Sequence, residues 1–321
     1  MKNYKRIINN FIKSSCFLIG LVLVFLALSH VFERKDGIYV YDSAAVRTKE
    51  AEVNAEETDT IDVIFLGDSV CYSSFNPLQI YAEYGYTSFV CGTSAQRLCD
   101  SYAILQSAFV NQKPQVVVLE TNCLYRDIHG KKESGDQVLS ALSEWFAVFE
   151  NHSRWKDMAA RFIGKQRGES ARMRGFVARR TIKAYEDGAY MQESEDVCLP
   201  DEEVLDYLNK IEALCKEEGA KFVLVSVPSP KNWNYEKHNG VVAWATEHEV
   251  PYKDLNLEDE VAIDWATDTK DGGDHLNLAG ATKVSHYIGE WMQAKYALPD
   301  NRDNPSYELW KEDSLAFESE N

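Results

Sequence analysis

Residues 61–75, IDVIFLGDSVCYSSF, carry a strand-like apolar run straight into Gly67, Asp68 and Ser69. A serine hydroxyl is a poor nucleophile unless a base takes its proton and a third group orients that base. Of the seven histidines, His30, His129, His152, His238, His248, His275 and His286, His275 has the most suggestive surroundings, DTKDGGDHLNLAGATKVSHYI. Asp268, Asp271 and Asp274 crowd in front of it, and Gly272 and Gly273 permit a tight loop. His286 lies on the helix that follows and reads as a packing or surface residue. Asp271 can accept the His275 ring proton if the double glycine bulges. Asp274 is adjacent to His275 and faces it less readily, so it stands second. A Ser–His dyad leaning on a backbone carbonyl is the third arrangement. Acylating a serine places negative charge on a carbonyl oxygen, and each preformed N–H donor there is worth roughly 3 kcal/mol. Gly92, closing FVCG, offers a backbone donor, Asn122 offers a side-chain amide, and Ser69 offers its own N–H.

These groups need elements that bring them to one place. Short apolar runs, IDVIFLG (61–67), TSFVCG (87–92), QVVVLET (115–121), KFVLVSVP (221–228) and VPYKDL (250–255), are continuous rather than alternating. Such runs suit parallel strands buried on both faces. Between them, residues 94–112, with Ser94 as N-cap, and 201–220, acidic at the start and closed by Gly219, have helical spacing. The alternation predicts a three-layer α/β fold with a mostly parallel sheet. Ligands of such sheets bind at the carboxyl ends of the strands, and Ser69 is at one. The loop 226–233, SVPSPKNW, borders that end and receives no catalytic part.

The whole chain narrows the function further. It has 321 residues and a formal net charge of −17, which excludes a general nucleic-acid binder. Lys2, Lys5, Arg6 and Lys13 precede the uncharged run CFLIGLVLVFLALSHVF (16–32). About 20 apolar residues cross a bilayer, and basic residues stay on the cytoplasmic side. The reading is therefore a cytoplasmic stub and transmembrane anchor over 1–32, with the rest outside. A cleaved signal peptide competes, but no small-x-small site is evident. Residues 33–60 are acidic and unpatterned, and read as a stalk. The main domain is expected over 61–298, with a helical insertion at about 125–200. Within that insertion, residues 154–183 hold ten Lys or Arg and suit either an anionic surface or a plain solvated face. Residues 299–321 read as a loosely packed acidic tail, although Trp310 and Phe317 could dock on the body. Seven cysteines, six beyond the anchor, leave disulfides and buried thiols both open. Neither a metal cluster nor a phosphate-cradling glycine loop is evident, and no cofactor is expected.

Gly67-Asp68-Ser69, Gly92, Asn122 and His275, in that order and at strand ends, resemble the four blocks of the SGNH (GDSL-type) hydrolases. The resemblance covers residues 61–296 apart from the insertion. GTSAQ and DHLNLAGA look like the membrane-anchored extracytoplasmic branch, which includes the D-alanine-transfer protein of teichoic acid synthesis and polysaccharide O-acetyltransferases. It implies a flavodoxin-like three-layer fold and an acyl-Ser69 intermediate, with His275 as base and then acid. By the same resemblance the acyl group is acetyl or D-alanyl and the substrate is a cell-envelope glycan or polymer. A multi-span membrane acyltransferase is the implied partner of a transferase. Two departures stand out. The family aspartate sits three residues before the histidine, where this chain has Gly272, and the third block reads Glu120-Thr121-Asn122-Cys123. A catalytically silent binding or assembly module of the same fold is the alternative.

Overall fold

A computed structural model describes residues 2–32, 43–128 and 172–320 of the chain. Most of the expected insertion, including residues 154–171 of its basic stretch, lies outside the described residues. The chain divides into two units, Met1–Ile38 with Gly130–Lys165, and Tyr39–His129 with Gln166–Asn321. In the first, α1 (Lys2–Phe32) is a continuous helix, and apolar side chains along it, among them Phe11, Phe17, Ile19 and Leu23, are exposed. Among the described residues, no helix is long and apolar enough to cross a membrane. The anchor stays an expectation of the sequence.

The second unit is built on five strands, β1 (Val63–Gly67), β2 (Ser88–Gly92), β3 (Val116–Glu120), β4 (Lys221–Ser226) and β5 (Tyr252–Asp254). All pair in parallel in the order β2-β1-β3-β4-β5, the flavodoxin-like doubly wound order. The expected strand runs overreach these bounds by one to three residues at their ends, where the chain leaves the ladder for turns. The helices are α2 (Ser43–Val53), α3 (Ser69–Ser74), α4 (Pro77–Tyr84), α5 (Leu98–Phe109), α6 (Glu202–Glu217), α7 (Tyr235–Glu247), α8 (Leu278–Tyr296) and α9 (Glu308–Glu320). Val63, Phe65, Val116, Val118, Val223 and Val225 turn one sheet face onto Ile80 of α4 and Val284, Ile288 and Met292 of α8. Their alternates, Ile64, Leu66, Val117 and Leu119, are equally buried and face the opposite layer, where α5 and α6 pack together against the strands. Burial on both faces explains why these strands read as unbroken apolar runs.

Three regions differ from the sequence reading. Residues 43–53, expected to lie in a stalk, form α2, which packs on α5 and β2 through buried Val46 and Val53. The charge-rich composition hid this, because only a few apolar residues make the contact. Ser94 does not cap α5. That helix begins at Leu98 with Arg97 as N-cap, while the Ser94 hydroxyl meets Tyr72 Oη at 3.1 Å. The tail is folded rather than loose: α9 docks against α4, with Trp310 buried beside Tyr81 and Phe317 near Phe176.

Candidate active site

In a doubly wound sheet the crevice opens where the winding direction reverses, here between β1 and β3. Ser69 leaves β1 and Asn122 leaves β3, so both stand beside that switch point. Gly67 ends β1 at φ +155°, and a Cβ there would lie 2.7 Å from Cys71 Cβ and 2.9 Å from Glu120 Cβ. Only glycine lets the chain turn so sharply between its neighbours. Asp68 then caps α3, its carboxylate accepting the Val70 N–H at 2.8 Å, and Ser69 becomes the first residue of that helix. Gly92 lies level with Gly67 in the β1–β2 ladder. A Cβ on it would lie 3.0 Å from the Asp68 carbonyl oxygen and 3.3 Å from that of Gly67, a tight fit, so glycine eases the close approach of β2 to the serine turn.

The base arrives from far along the chain. His275 Nε2 is 2.8 Å from Ser69 Oγ, across 206 residues. Its Nδ1 is 2.7 Å from Asp271 Oδ2, and its backbone N–H donates to Asp271 Oδ1 at 2.8 Å. Asp271 thus grips the ring and the main chain of the same residue. Asp274 Oδ1 stands 3.5 Å from Nδ1 and instead accepts from the Asn232 amide at 2.7 Å. Asp268 is drawn away to Lys283 Nζ at 2.6 Å and braces the start of α8. Burial alone would raise the Asp271 carboxyl, but the two bonds from His275 and the nearby Lys270 ammonium hold it below the usual carboxylate range.

The four-residue spacing works because Gly272 and Gly273 both take left-handed conformations, at φ +76° and +91°. Their turn is held on three sides. Thr269 Oγ1 accepts the Gly273 N–H at 2.8 Å and donates to the His275 carbonyl at 3.0 Å. Ser229, in the loop after β4, donates to the Asp274 carbonyl at 2.7 Å. Lys183, on the described end of the insertion, accepts the Gly272 N–H at 2.8 Å through its carbonyl. The 226–233 loop does border the site, as its position after β4 suggests, whereas no motif marks residue 183, which contributes a backbone carbonyl.

Asn122 opens a short 3-10 turn, Thr121–Tyr125, after β3. Its amide nitrogen donates to Asp68 Oδ2 at 2.9 Å, and its backbone N–H donates to Glu120 Oε1 at 3.1 Å. Glu120 is fully buried; desolvation, then the neighbouring Asp68 carboxylate, push its carboxyl well above the ordinary glutamate value despite backbone donors. Arg126, which pairs with Asp68, is not singled out by the sequence, and Glu120 stands out there only as a departure in the third block. An acidic residue in an otherwise apolar strand, VVVLE, was the available signal.

Apart from His30 in α1, the remaining histidines are spoken for or outside the described residues. His238 bonds Asp254, His248 bonds Glu212, and His286 bonds Glu83 on the surface. His129 and His152 lie outside the described residues. Asp271, Asp274 and His275 could together touch a cation, but His275 Nε2 is already turned to Ser69, and the donor set fits a proton relay better. The cysteines are free thiols; Cys71, Cys91, Cys99, Cys123 and Cys215 are buried. Burial pushes Cys91, Cys99 and Cys215 up to about 12.

No protein-family model matches this chain. No curated protein matches it. Several solved structures resemble it at low identity. A GDSL-like lipase from Bacteroides thetaiotaomicron is 12% identical with a TM-score of 0.41, covering 79% of this chain and 99% of that one. A lipase/acylhydrolase from Enterococcus faecalis is 12% identical with a TM-score of 0.37, covering 75% and 98%. An acetyl xylan esterase is 12% identical with a TM-score of 0.39, covering 73% and 98%. Likenesses of this size carry no argument about activity. The functional reading rests on the serine, histidine and aspartate contacts themselves.

Proposed function

We propose that the protein is a serine acyl hydrolase or acyltransferase of the SGNH type. The observation that carries this reading is the continuous chain Ser69 Oγ to His275 Nε2 at 2.8 Å and His275 Nδ1 to Asp271 at 2.7 Å. In the first half-reaction Ser69 Oγ attacks an ester carbonyl carbon while His275 Nε2 takes the hydroxyl proton. The tetrahedral oxygen is held by the N–H groups of Ser69 and Gly92 and the Asn122 amide. The C–O bond to the leaving alcohol then breaks, and His275 returns the proton to that alcohol, leaving an acyl-Ser69 ester. In the second half a water or a substrate hydroxyl attacks this ester, giving its proton to His275 Nε2; the acyl–Oγ bond breaks and His275 returns that proton to Ser69 Oγ. Asp271 fixes the ring tautomer and offsets the charge of the imidazolium.

The finer reading comes from the sequence resemblance. The acyl group is acetyl or D-alanyl, and the substrate is a cell-envelope glycan or polymer. The protein is a single-pass membrane protein with its amino end cytoplasmic and its α/β unit outside, working beside a multi-span membrane acyltransferase when it transfers rather than hydrolyses. What supports the anchor is the uncharged run over 16–32 behind four basic residues, together with the open apolar side chains of α1. The alternative of a catalytically silent module drew on the displaced aspartate. With Asp271 in contact with His275, that reason is gone.

Turnover of p-nitrophenyl acetate by the purified protein tests the mechanism. Ser69→Ala and His275→Ala should each lower kcat/KM by about 10⁴-fold or more while leaving the unfolding midpoint near its starting value. A wild-type rate unmoved by either substitution ends the serine mechanism.

A further inference from the structure

Arg126 takes no part in the serine–histidine–aspartate chain, yet it touches the residue on which the oxyanion donor depends. Asp68 is wholly buried. It receives three donors: the Val70 N–H at 2.8 Å, the Asn122 amide at 2.9 Å and Arg126 Nε at 2.5 Å. A buried carboxylate is costly unless it is paired and hydrogen-bonded, and Arg126 is the only cation paired with Asp68 among the described residues. Glu120, equally buried beside it, supplies no compensating charge and instead holds the Asn122 backbone N–H. Asn122 is therefore fixed at both ends, main chain by Glu120 and amide by Asp68, and the second end depends on a guanidinium four residues downstream.

We propose that Arg126 is a positioning residue for acyl transfer. It anchors the Asp68 carboxylate, so that one N–H of the Asn122 amide is tied to Asp68 and the other is presented to the oxygen that gains charge when Ser69 is acylated. The idea rests on the acyl-transfer reading above. The Arg126 side chain is 33% exposed, at the exit of the 3-10 turn, so its removal opens no core cavity. The turn itself is pinned separately, by the Tyr125 hydroxyl, whose one proton is shared between the Cys198 and Lys237 carbonyls at 3.0 and 2.9 Å. A catalytic effect of substitution can thus be separated from loss of the turn.

The test pairs Arg126→Met with Arg126→Lys, read by ester kinetics and by the side-chain amide signal of Asn122 in ¹⁵N-labelled protein. In Arg126→Met, kcat for p-nitrophenyl acetate should fall about tenfold to a hundredfold with KM within about twofold, as for a misplaced oxyanion donor. The Asn122 amide protons should shift and exchange with solvent about tenfold faster. Arg126→Lys, which keeps the charge, should recover most of both and guards against a methionine variant that does not fold. An Asn122 signal unchanged in Arg126→Met overturns the proposal, whatever kcat does. So does a rise in KM at constant kcat, which would make Arg126 a substrate contact. Wild-type protein that turns over no ester counts against the acyl-transfer reading alone, because the Asn122 signal still decides whether Arg126 holds the amide.

Discussion

Two of the arginine–carboxylate clusters among the described residues of the α/β unit, around Asp68 and around Arg174, do opposite work. Around Asp68, the groups come from residues 68, 120, 122 and 126, close to the switch point of the sheet, and the arginine keeps a third of its side chain in solvent. Around Arg174 the arginine is wholly buried. It donates to Asp313 at 2.6 Å, stands 3.3 Å from Glu56 Oε2, and lies with its Cζ 4.2 Å over the Trp310 ring. These partners come from the stretch after α2 and from α9, so the cluster clasps two distant segments onto the strand edge, where the Arg174 carbonyl accepts the Val90 N–H at 2.8 Å. Glu56, Asp313 and Trp310 all lie outside the candidate site. One cluster orders a reacting group; the other orders the fold. The difference lies in what each removes from water. A wholly buried pair serves stability only while complete, whereas a partly wet one tolerates change and shows it in chemistry.

The sharpest way to break this contrast is Arg174→Met. Buried Glu56 and half-buried Asp313 would lose their guanidinium and the stacking on Trp310 would go, so unfolding free energy should fall by about 3 kcal/mol. Urea titration measures that loss. At a temperature where the variant remains folded, its esterase rate should match the wild type within about twofold. If turnover fell as steeply as stability, the two clusters would not be separable, and the division drawn here would be wrong.

Glu120 sharpens the other side. Its carboxyl sits well above the ordinary glutamate value because burial and Asp68 disfavour its charge. The folded state therefore binds a proton that the unfolded chain releases above about pH 4.5. The sign follows: stability is fully present below the unfolded value and falls as pH rises toward the folded one. Between pH 5.5 and 7.5 that fall is read as a slope, whose ceiling for one proton is about 1.4 kcal/mol per pH unit. Glu120→Gln cannot ionise, so its stability should be flatter across that interval. Any cost of placing an amide there is independent of pH and leaves the slope as the readout. Parallel stability–pH curves for the two proteins would show that Glu120 is not held protonated.

The legible parts of this molecule are those where local chemistry and burial agree. Val116, Val117 and Val118 announce a strand with two buried faces, and Gly67-Asp68-Ser69 at a strand end announces a turn that presents a hydroxyl. The Asp271 assignment was also within reach, since two consecutive glycines are what a four-residue spacing needs. What stayed hidden is non-local or made of backbone. Nothing in the acidic 43–60 stretch marks α2 as docked, because a few buried residues such as Val46 and Val53 form the contact. Arg126 is an arginine like any other until Asp68, 58 residues earlier, is seen to meet it. Lys183 supports the histidine loop through its carbonyl, a group that every residue has.

The smallest expected effect separates the two glycines of that loop. A Cβ on Gly272 would meet nothing nearer than 3.4 Å, so alanine there adds only the strain of its left-handed backbone. A Cβ on Gly273 would lie 2.8 Å from Tyr185 Cδ2 and 3.3 Å from Pro230 Cγ. Tyr185 cannot step aside freely, because its ring is wedged edge-on against Tyr190 and Trp265 at 6.4 and 6.0 Å. Each substitution should cost about 1–2 kcal/mol from backbone strain. Gly273→Ala must also push the loop away from Tyr185, and His275, two residues on, moves with it. Thermal unfolding should rank the variants close together, while kcat/KM should fall about tenfold further in Gly273→Ala than in Gly272→Ala. Equal kinetic losses would mean that the loop adjusts without carrying His275, and that the contact with Ser69 is held from α8 rather than by the turn.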